Sequence, residues 1–225
     1  MSPDSAQLGL SNDIGLDRPT RWRTLQLIVK RTVDMIGALA LIVVFSPLLL
    51  AVAVAVRFSS PGPVLFRQKR EGCDGRQFIC WKFRTMYVSQ DKLVPAAMLR
   101  QLQSKGVLFK PKNDPRITPI GAFLRKASMD ELPQLFNVVV GDMSLVGPRP
   151  LMPHMLEPYP KLREARGRMR PGITGLWQIS ARENNETALQ MAPYDLAYIR
   201  SFNLWADLRI AMQTPAAVLF ARGAY

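Results

Sequence analysis

Met35-Ile36-Gly37-Ala38-Leu39-Ala40-Leu41-Ile42-Val43-Val44-Phe45-Ser46-Pro47-Leu48-Leu49-Leu50-Ala51-Val52-Ala53-Val54-Ala55-Val56 is one long apolar run, broken at its centre by Ser46-Pro47. A helix crossing a bilayer needs about 20 apolar residues, and this run just has them. The break carries as much information as the run. Proline has no N–H to give and clashes with the preceding turn, so it kinks or ends a helix. The flanks point the same way. Lys30 and Arg31 precede the run, and Arg57, Arg67, Lys69 and Arg70 follow it. Under the positive-inside rule both ends belong in the cytoplasm. A segment that enters, bends at Pro47 and leaves by the same face satisfies both ends. On the run alone, an ordinary span with a proline kink stays open, because membrane helices tolerate such kinks. A cleaved signal peptide does not fit. The run begins too far into the chain, exceeds an h-region of about 7–15 residues and lacks a small-residue cleavage site.

Composition narrows the partners. The chain has 225 residues, enough for this anchor and one globular domain of ordinary size. Its formal net charge of +13 suits nucleic acid, anionic membrane lipid or a phosphorylated substrate. The apolar run favours the last two, since an anionic leaflet attracts nearby Lys and Arg at about 1 kcal/mol each. Nucleic acid is disfavoured, because charge alone suggests it and no binding module accompanies the charge. Cys73 and Cys80 lack metal-ligand spacing and read as reduced thiols. His154 is the only histidine, which excludes triads needing more than one and His-rich metal sites.

Working outward from the run, residues 1–20 are polar and read as a disordered tail. Residues 21–58 form an interfacial and membrane segment, entered through Trp22, Arg23, Lys30 and Arg31. Residues 59–225 form the globular domain. It opens with the helix stop Ser59-Ser60-Pro61-Gly62-Pro63. Val64–Arg70 and Gln77–Arg84 then bracket Glu71-Gly72-Cys73-Asp74-Gly75 as a β-hairpin. Residues 88–113 look helical in part. Leu204–Phe220 fits an amphipathic helix lying on the membrane or packing on the domain. There is no internal repeat.

Chemistry is concentrated in Ala127-Ser128-Met129-Asp130-Glu131-Leu132-Pro133-Gln134. Ser128 and Glu131 have capping-box spacing; alternatively Asp130 is the N-cap and Pro133 sits in the first turn. Both frames put Asp130 and Glu131 at a helix start, where free N–H groups stabilise anions. An aspartate held ionised there could attack phosphorus, and a neighbouring glutamate could hold a divalent cation. Acidic residues in a first turn are also what ordinary helices prefer. The sequence neighbours are cationic: Lys82 and Arg84, Arg116, Arg125 with Lys126, and Arg149 between Pro148 and Pro150. The two prolines hold the Arg149 backbone extended, and a guanidinium matches a phosphate bidentately.

In order, Lys82-Phe83-Arg84-Thr85-Met86, Asp114-Pro115-Arg116-Ile117-Thr118, Asp130-Glu131-Leu132-Pro133-Gln134-Leu135, Ser144-Leu145-Val146-Gly147-Pro148-Arg149-Pro150 and Arg170-Pro171-Gly172-Ile173-Thr174-Gly175-Leu176-Trp177-Gln178 resemble the bacterial sugar transferases. These are the monotopic polyprenyl-phosphate phosphoglycosyl transferases, and the resemblance is to their short, exopolysaccharide-type form. It covers about residues 25–225. Ser46-Pro47 matches the break of the family's re-entrant helix. The resemblance therefore implies an α+β fold: a re-entrant membrane helix hairpin plus a small, mostly helical catalytic domain with a β-hairpin and interfacial amphipathic helices. It implies a monotopic enzyme on the cytoplasmic face of the bacterial inner membrane.

The implied reaction moves a hexose 1-phosphate from a UDP-sugar to undecaprenyl or another polyprenyl phosphate and releases UMP. Asp130 would be the nucleophile of a covalent phosphosugar intermediate, and Glu131 would bind Mg2+. Lys82, Arg84, Arg116, Arg125 and Arg149 would contact substrate, with Gln178 and Arg182 on the nucleotide side. Met129 and Ala181 depart from the family's usual Leu and Gly. A basic membrane-surface protein without catalysis is the rival reading, and it predicts that Asp130 is dispensable. The sugar and a homodimeric state are left open.

Overall fold

The computed structural model describes residues 21–88, 114–180 and 187–220. The expected tail at 1–20, nearly all of the stretch 88–113 and Arg182 lie outside the described residues. Helix α1 spans Arg21–Ser59 and stays helical through Pro47. Pro47 cannot donate to the carbonyl of Val43, four residues back. The Ser46 hydroxyl donates to that carbonyl instead, at 2.8 Å. The freed group is thereby satisfied where lipid offers no water, so the break in sequence need not end the helix. Only 11% of its most apolar stretch is buried, unlike the core helix of a soluble domain.

One stripe of α1 does touch the domain. Lys30, Asp34, Ala38, Val52 and Val56 are buried, with Ile42 and Leu49 half-buried between them. Their three- and four-residue spacing is one helical face. Val43, Val44 and Leu50, off that face, are exposed.

The hairpin forms one residue from its expected start. β1 (Leu65–Glu71) pairs antiparallel with β2 (Gln77–Phe83), Leu65 opposite Phe83 and Glu71 opposite Gln77. The register puts Phe66, Gln68 and Arg70 on the same face as Lys82, Cys80 and Phe78. Beyond β2 the chain pairs with the stretch before α2 (Pro119–Lys126): Thr118 N donates to Thr85 O, and Tyr87 N to Arg116 O. Thr118 caps α2, its hydroxyl accepting from Gly121 N at 2.9 Å. A Cβ on Gly121 would lie 2.1 Å from Thr85 O, so only glycine lets this helix sit on the strand exit.

Helix α3 (Gln134–Val140) packs between α1 and the hairpin. The first half of α1 meets it through Ala38 and Ile42 against Leu135 and Val138. The second half meets the β2 exit and α2, through Val52 and Val56 against Phe83 and Leu124. Buried Asn137 accepts from Trp81 N at 3.1 Å and donates to Ile79 O at 2.7 Å. Its amide does for the open edge of β2 what a third strand would do.

A short parallel pair, β3 (Ser144–Val146) with β4 (Gly172–Thr174), is absent from the sequence reading. Three-residue strands are too short to show a period of two. Their closeness depends on glycine: a Cβ on Gly172 would lie 2.1 Å from Gly147 N. Between them run α4 (Pro153–Leu156) and α5 (Pro160–Gly167); α6 (Leu176–Ser180) and α7 (Ala188–Arg200) follow. Leu151, Met155, Leu162, Trp177, Met191 and Leu196 form the main core here. Helix α8 occupies the expected Leu204–Phe220. It packs through buried Ile210 and leaves Trp205, Leu208 and Met212 exposed on helical spacing. The mixed, mostly helical architecture agrees with the α+β expectation.

Candidate active site

The acidic pair sits on a turn, not on a cap. Ser128 has φ 55°, ψ 18° and closes α2, its N–H donating to Arg125 O. Such left-handed closing residues are usually glycine or asparagine. Met129–Glu131 then form a single 3-10 turn, and α3 begins only at Gln134, capped by Pro133 without a side-chain bond. Both capping frames are therefore corrected. Ser128 is spent on ending one helix and makes no cap bond to the next turn. The strained residue immediately precedes Met129-Asp130-Glu131 and turns the pair towards β2.

Lys82 meets Glu131 there, Nζ donating to Oε1 at 2.7 Å. Arg149 Nη2 stands 3.5 Å from the same oxygen. The Arg149 guanidinium lies over the Trp177 ring, 5.1 Å from its centroid. Arg70, Lys82, Glu131, Gln134, Arg149 and Ile173 line a shallow recess. Asp130 makes no hydrogen bond or ion pair with the described residues, but it lies within the fields of Lys82, Arg125 and Arg149. Burial, then the charge of Glu131, push its carboxyl above the usual range, and the three cations pull it back. Helix-start stabilisation was the sequence expectation. The cations do part of that work, and burial with Glu131 outweighs them.

The other expected residues divide. Arg125 donates to Thr85 Oγ1 at 2.9 Å and feels both Asp130 and Asp114. Arg116 grips Asp114 through Nε and Nη2, the closest contact being 2.6 Å. Arg84 is buried, and its guanidinium binds the carbonyls of Val56, Ser60 and Pro61. It closes the C-terminal end of α1 and is not delivered to the acidic pair. A buried guanidinium must satisfy its N–H groups, and the helix end supplies the acceptors. Gln178 is buried beside Ile173 O, at 3.4 Å. Arg70 is a site residue the sequence reading left among the membrane flanks. It is buried and held down to about 10, chiefly by burial. Its signal was the hairpin register, which turns it to the face that carries Lys82.

The donor set can be tested against Mg2+. Among the described residues no three carboxylate, thiol or imidazole groups cluster. Two adjacent carboxylates fit an ion that is held by one or two protein carboxylates plus substrate phosphates. Glu131 would supply the first of these, at the oxygen that Lys82 now engages.

The site is thus a turn of paired carboxylates facing a surplus of fixed cations, on a domain fastened to a helix long and apolar enough to cross a membrane. The bacterial sugar transferase family model matches residues 25–221, and the chain belongs to that family. The exopolysaccharide production protein ExoY of Rhizobium meliloti is 41% identical over 203 residues, covering 87% of this chain and 88% of that one. UDP-glucose:undecaprenyl-phosphate glucose-1-phosphate transferase of Escherichia coli is also 41% identical, over 206 residues, but only 42% of its length is covered. Undecaprenyl-phosphate galactose phosphotransferase of Salmonella typhimurium is 38% identical, again over 42% of its length. The chain thus spans most of one relative and less than half of the other two.

Proposed function

We propose that the protein transfers a hexose 1-phosphate, of glucose or galactose, from a UDP-sugar to undecaprenyl phosphate in exopolysaccharide synthesis. The observation that carries this reading is the pairing of Asp130, unbonded among the described residues, with a Glu131 already gripped by Lys82 and Arg149. An Asp130 oxygen attacks the sugar-linked phosphorus. The bond from that phosphorus to the UMP oxygen breaks, and UMP leaves. The lipid phosphate oxygen then attacks the same phosphorus, and the Asp130 carboxylate is released. Lys82 and Arg149 exchange Glu131 for phosphate oxygens when substrate arrives, easing the approach of one anion to another. Glu131 would hold Mg2+, which would supply further neutralisation of the diphosphate. Arg125 adds to the field at Asp130 from the preceding helix α2.

The same reading includes a re-entrant anchor on the cytoplasmic face. Arg31 donates to the carbonyls of Val138 and Val139 at 2.6 and 2.9 Å, and Val56 O accepts from Arg84 at 2.9 Å. A straight helix rises about 38 Å from residue 31 to 56, more than the roughly 30 Å hydrocarbon core. A straight span would put these points on opposite faces, yet one domain binds both. Entry and return by one face reconciles them and keeps the site at the headgroups. Cysteines at positions 10 and 61 should both resist impermeant labels in intact cells; labelling of position 10 alone would mean a true span.

The chemical test uses the full chain with UDP-glucose or UDP-galactose and no lipid. UMP should appear in at most stoichiometric amount, and the Asp130 peptide should gain the mass of a hexose phosphate. Asp130→Asn should lower turnover by about 10³-fold or more without changing the unfolding temperature. An unmodified protein with normal turnover would mean direct attack by the lipid phosphate.

A further inference from the structure

The loop that carries Arg149 is held by its carbonyls. Pro148 and Pro150 have no N–H, so two of the four N–H donors of residues 148–151 are missing. Four successive carbonyls are bound instead, by three elements: β4, α5 and, twice, the end of β1. Pro148 O accepts from Gly172 N at 2.9 Å, and Leu151 O from Glu71 N at 3.0 Å. Pro150 O accepts from Arg70 Nη1 at 3.0 Å. Arg149 O accepts from Arg166 Nη2.

The last contact differs from the others. Arg166 is buried on α5, and its Nη1 pairs with Asp195, which is buried on α7. An arginine costs much to bury, and a single carbonyl is a small return for it. The guanidinium is planar, so fixing one edge on Asp195 aims the other edge. That edge meets the carbonyl of the residue whose side chain lies over Trp177 beside Glu131.

We propose that Arg166, oriented by Asp195, is a positioning residue for the transfer: it fixes the Arg149 backbone and so holds the Arg149 guanidinium at the phosphate site. The inference rests on the reading of Arg149 as a phosphate contact. Arg166→Lys is the informative variant. Lysine keeps the charge opposite Asp195 but has no fork to reach the Arg149 carbonyl as well.

The experiment is a double-mutant cycle on the full chain in detergent or nanodiscs, with UMP release from UDP-glucose and UDP-galactose as the assay. Arg166→Lys should unfold near the wild-type temperature, yet lose on the order of 10–100-fold in kcat/KM, as a misplacement of about 1 Å would cause. Arg149→Ala should lose activity alone, and adding Arg166→Lys should cost nothing further. A purely structural Arg166 would give losses that multiply, and this would overturn the positioning role while leaving the transferase reading intact. Wild-type activity in Arg149→Ala would overturn the phosphate-contact reading itself, and the positioning role with it. Should Arg166→Lys fail to fold, Asp195→Asn enters the same cycle. It keeps a side chain of the same shape on α7, and the same two outcomes decide.

Discussion

Among the clusters of buried charge in the described residues, two differ in their balance. At the recess, Asp130 and Glu131 face Lys82, Arg70, Arg125 and Arg149, so cations exceed acids. At the N-terminal half of α1, Lys30 alone faces two acids: Asp207 at 2.5 Å and Asp34 at 3.5 Å. There the remaining oxygens are satisfied locally. Ser144 donates to Asp34 at 2.7 Å, Leu145 N donates to its other oxygen at 3.2 Å, and Tyr198 donates to Asp207 at 2.7 Å. Burial pushes the Asp207 carboxyl up, while Lys30 and Tyr198 pull it back. One cluster is closed upon itself and fastens a helix to the domain. The other carries more cations than acids, which suits the polyanionic substrate proposed above.

The contrast breaks most visibly at Lys30. Lys30→Met would leave two buried carboxylates without their cation and should cost about 3–5 kcal/mol, read from unfolding in detergent. The fraction that stays folded should turn over normally; a turnover defect at full folding would move Lys30 into the reaction. Lys82→Met should do the reverse. Its removal should lower kcat/KM by about 10²–10³-fold while the unfolding temperature stays close to wild type. Equal losses in both variants would erase the distinction between the clusters.

Asp114 sharpens the comparison through pH. The bonds from Arg116 hold its carboxyl below the usual carboxylate range. The pair therefore stabilises the fold above the unfolded value of about 3.9, and that contribution is lost only as pH falls through the lower folded value. Wild type should exceed Asp114→Asn by about 2 kcal/mol at pH 7. The gap should persist at pH 5 and close below pH 4; closure by pH 5 would show that Arg116 does not hold the Asp114 carboxyl low. The smallest effect is expected at Ser46→Ala, which strips the Val43 carbonyl of its donor. About 1 kcal/mol should be lost in a lipid nanodisc, and no loss would mean that water reaches the bend.

Much of this protein was legible along the chain because the signals are local. A run of apolar residues with a central Ser-Pro, a glycine-rich turn between two strand-forming segments and a C-terminal amphipathic stretch each carry their own physics. They correspond to α1, the hairpin and α8. Asp130 and Glu131 stood out because two acids next to proline and among scattered cations are chemically conspicuous. The 3-10 turn did not, because a serine in left-handed geometry has no reliable sequence mark.

What the sequence by itself determined was the inventory: an apolar helix, a basic surface and an acidic pair within a recognisable series of motifs. Which cation serves which partner was decided only by the tertiary structure. Arg84 closes a helix, Arg116 is bound to Asp114, and Arg70 and Arg149 reach the recess. Composition does not separate these arginines. A guanidinium takes whichever acceptors the fold brings within about 3 Å: Arg116 finds Asp114 two residues away, but Arg84 reaches back to Val56 and Arg70 across to Pro150.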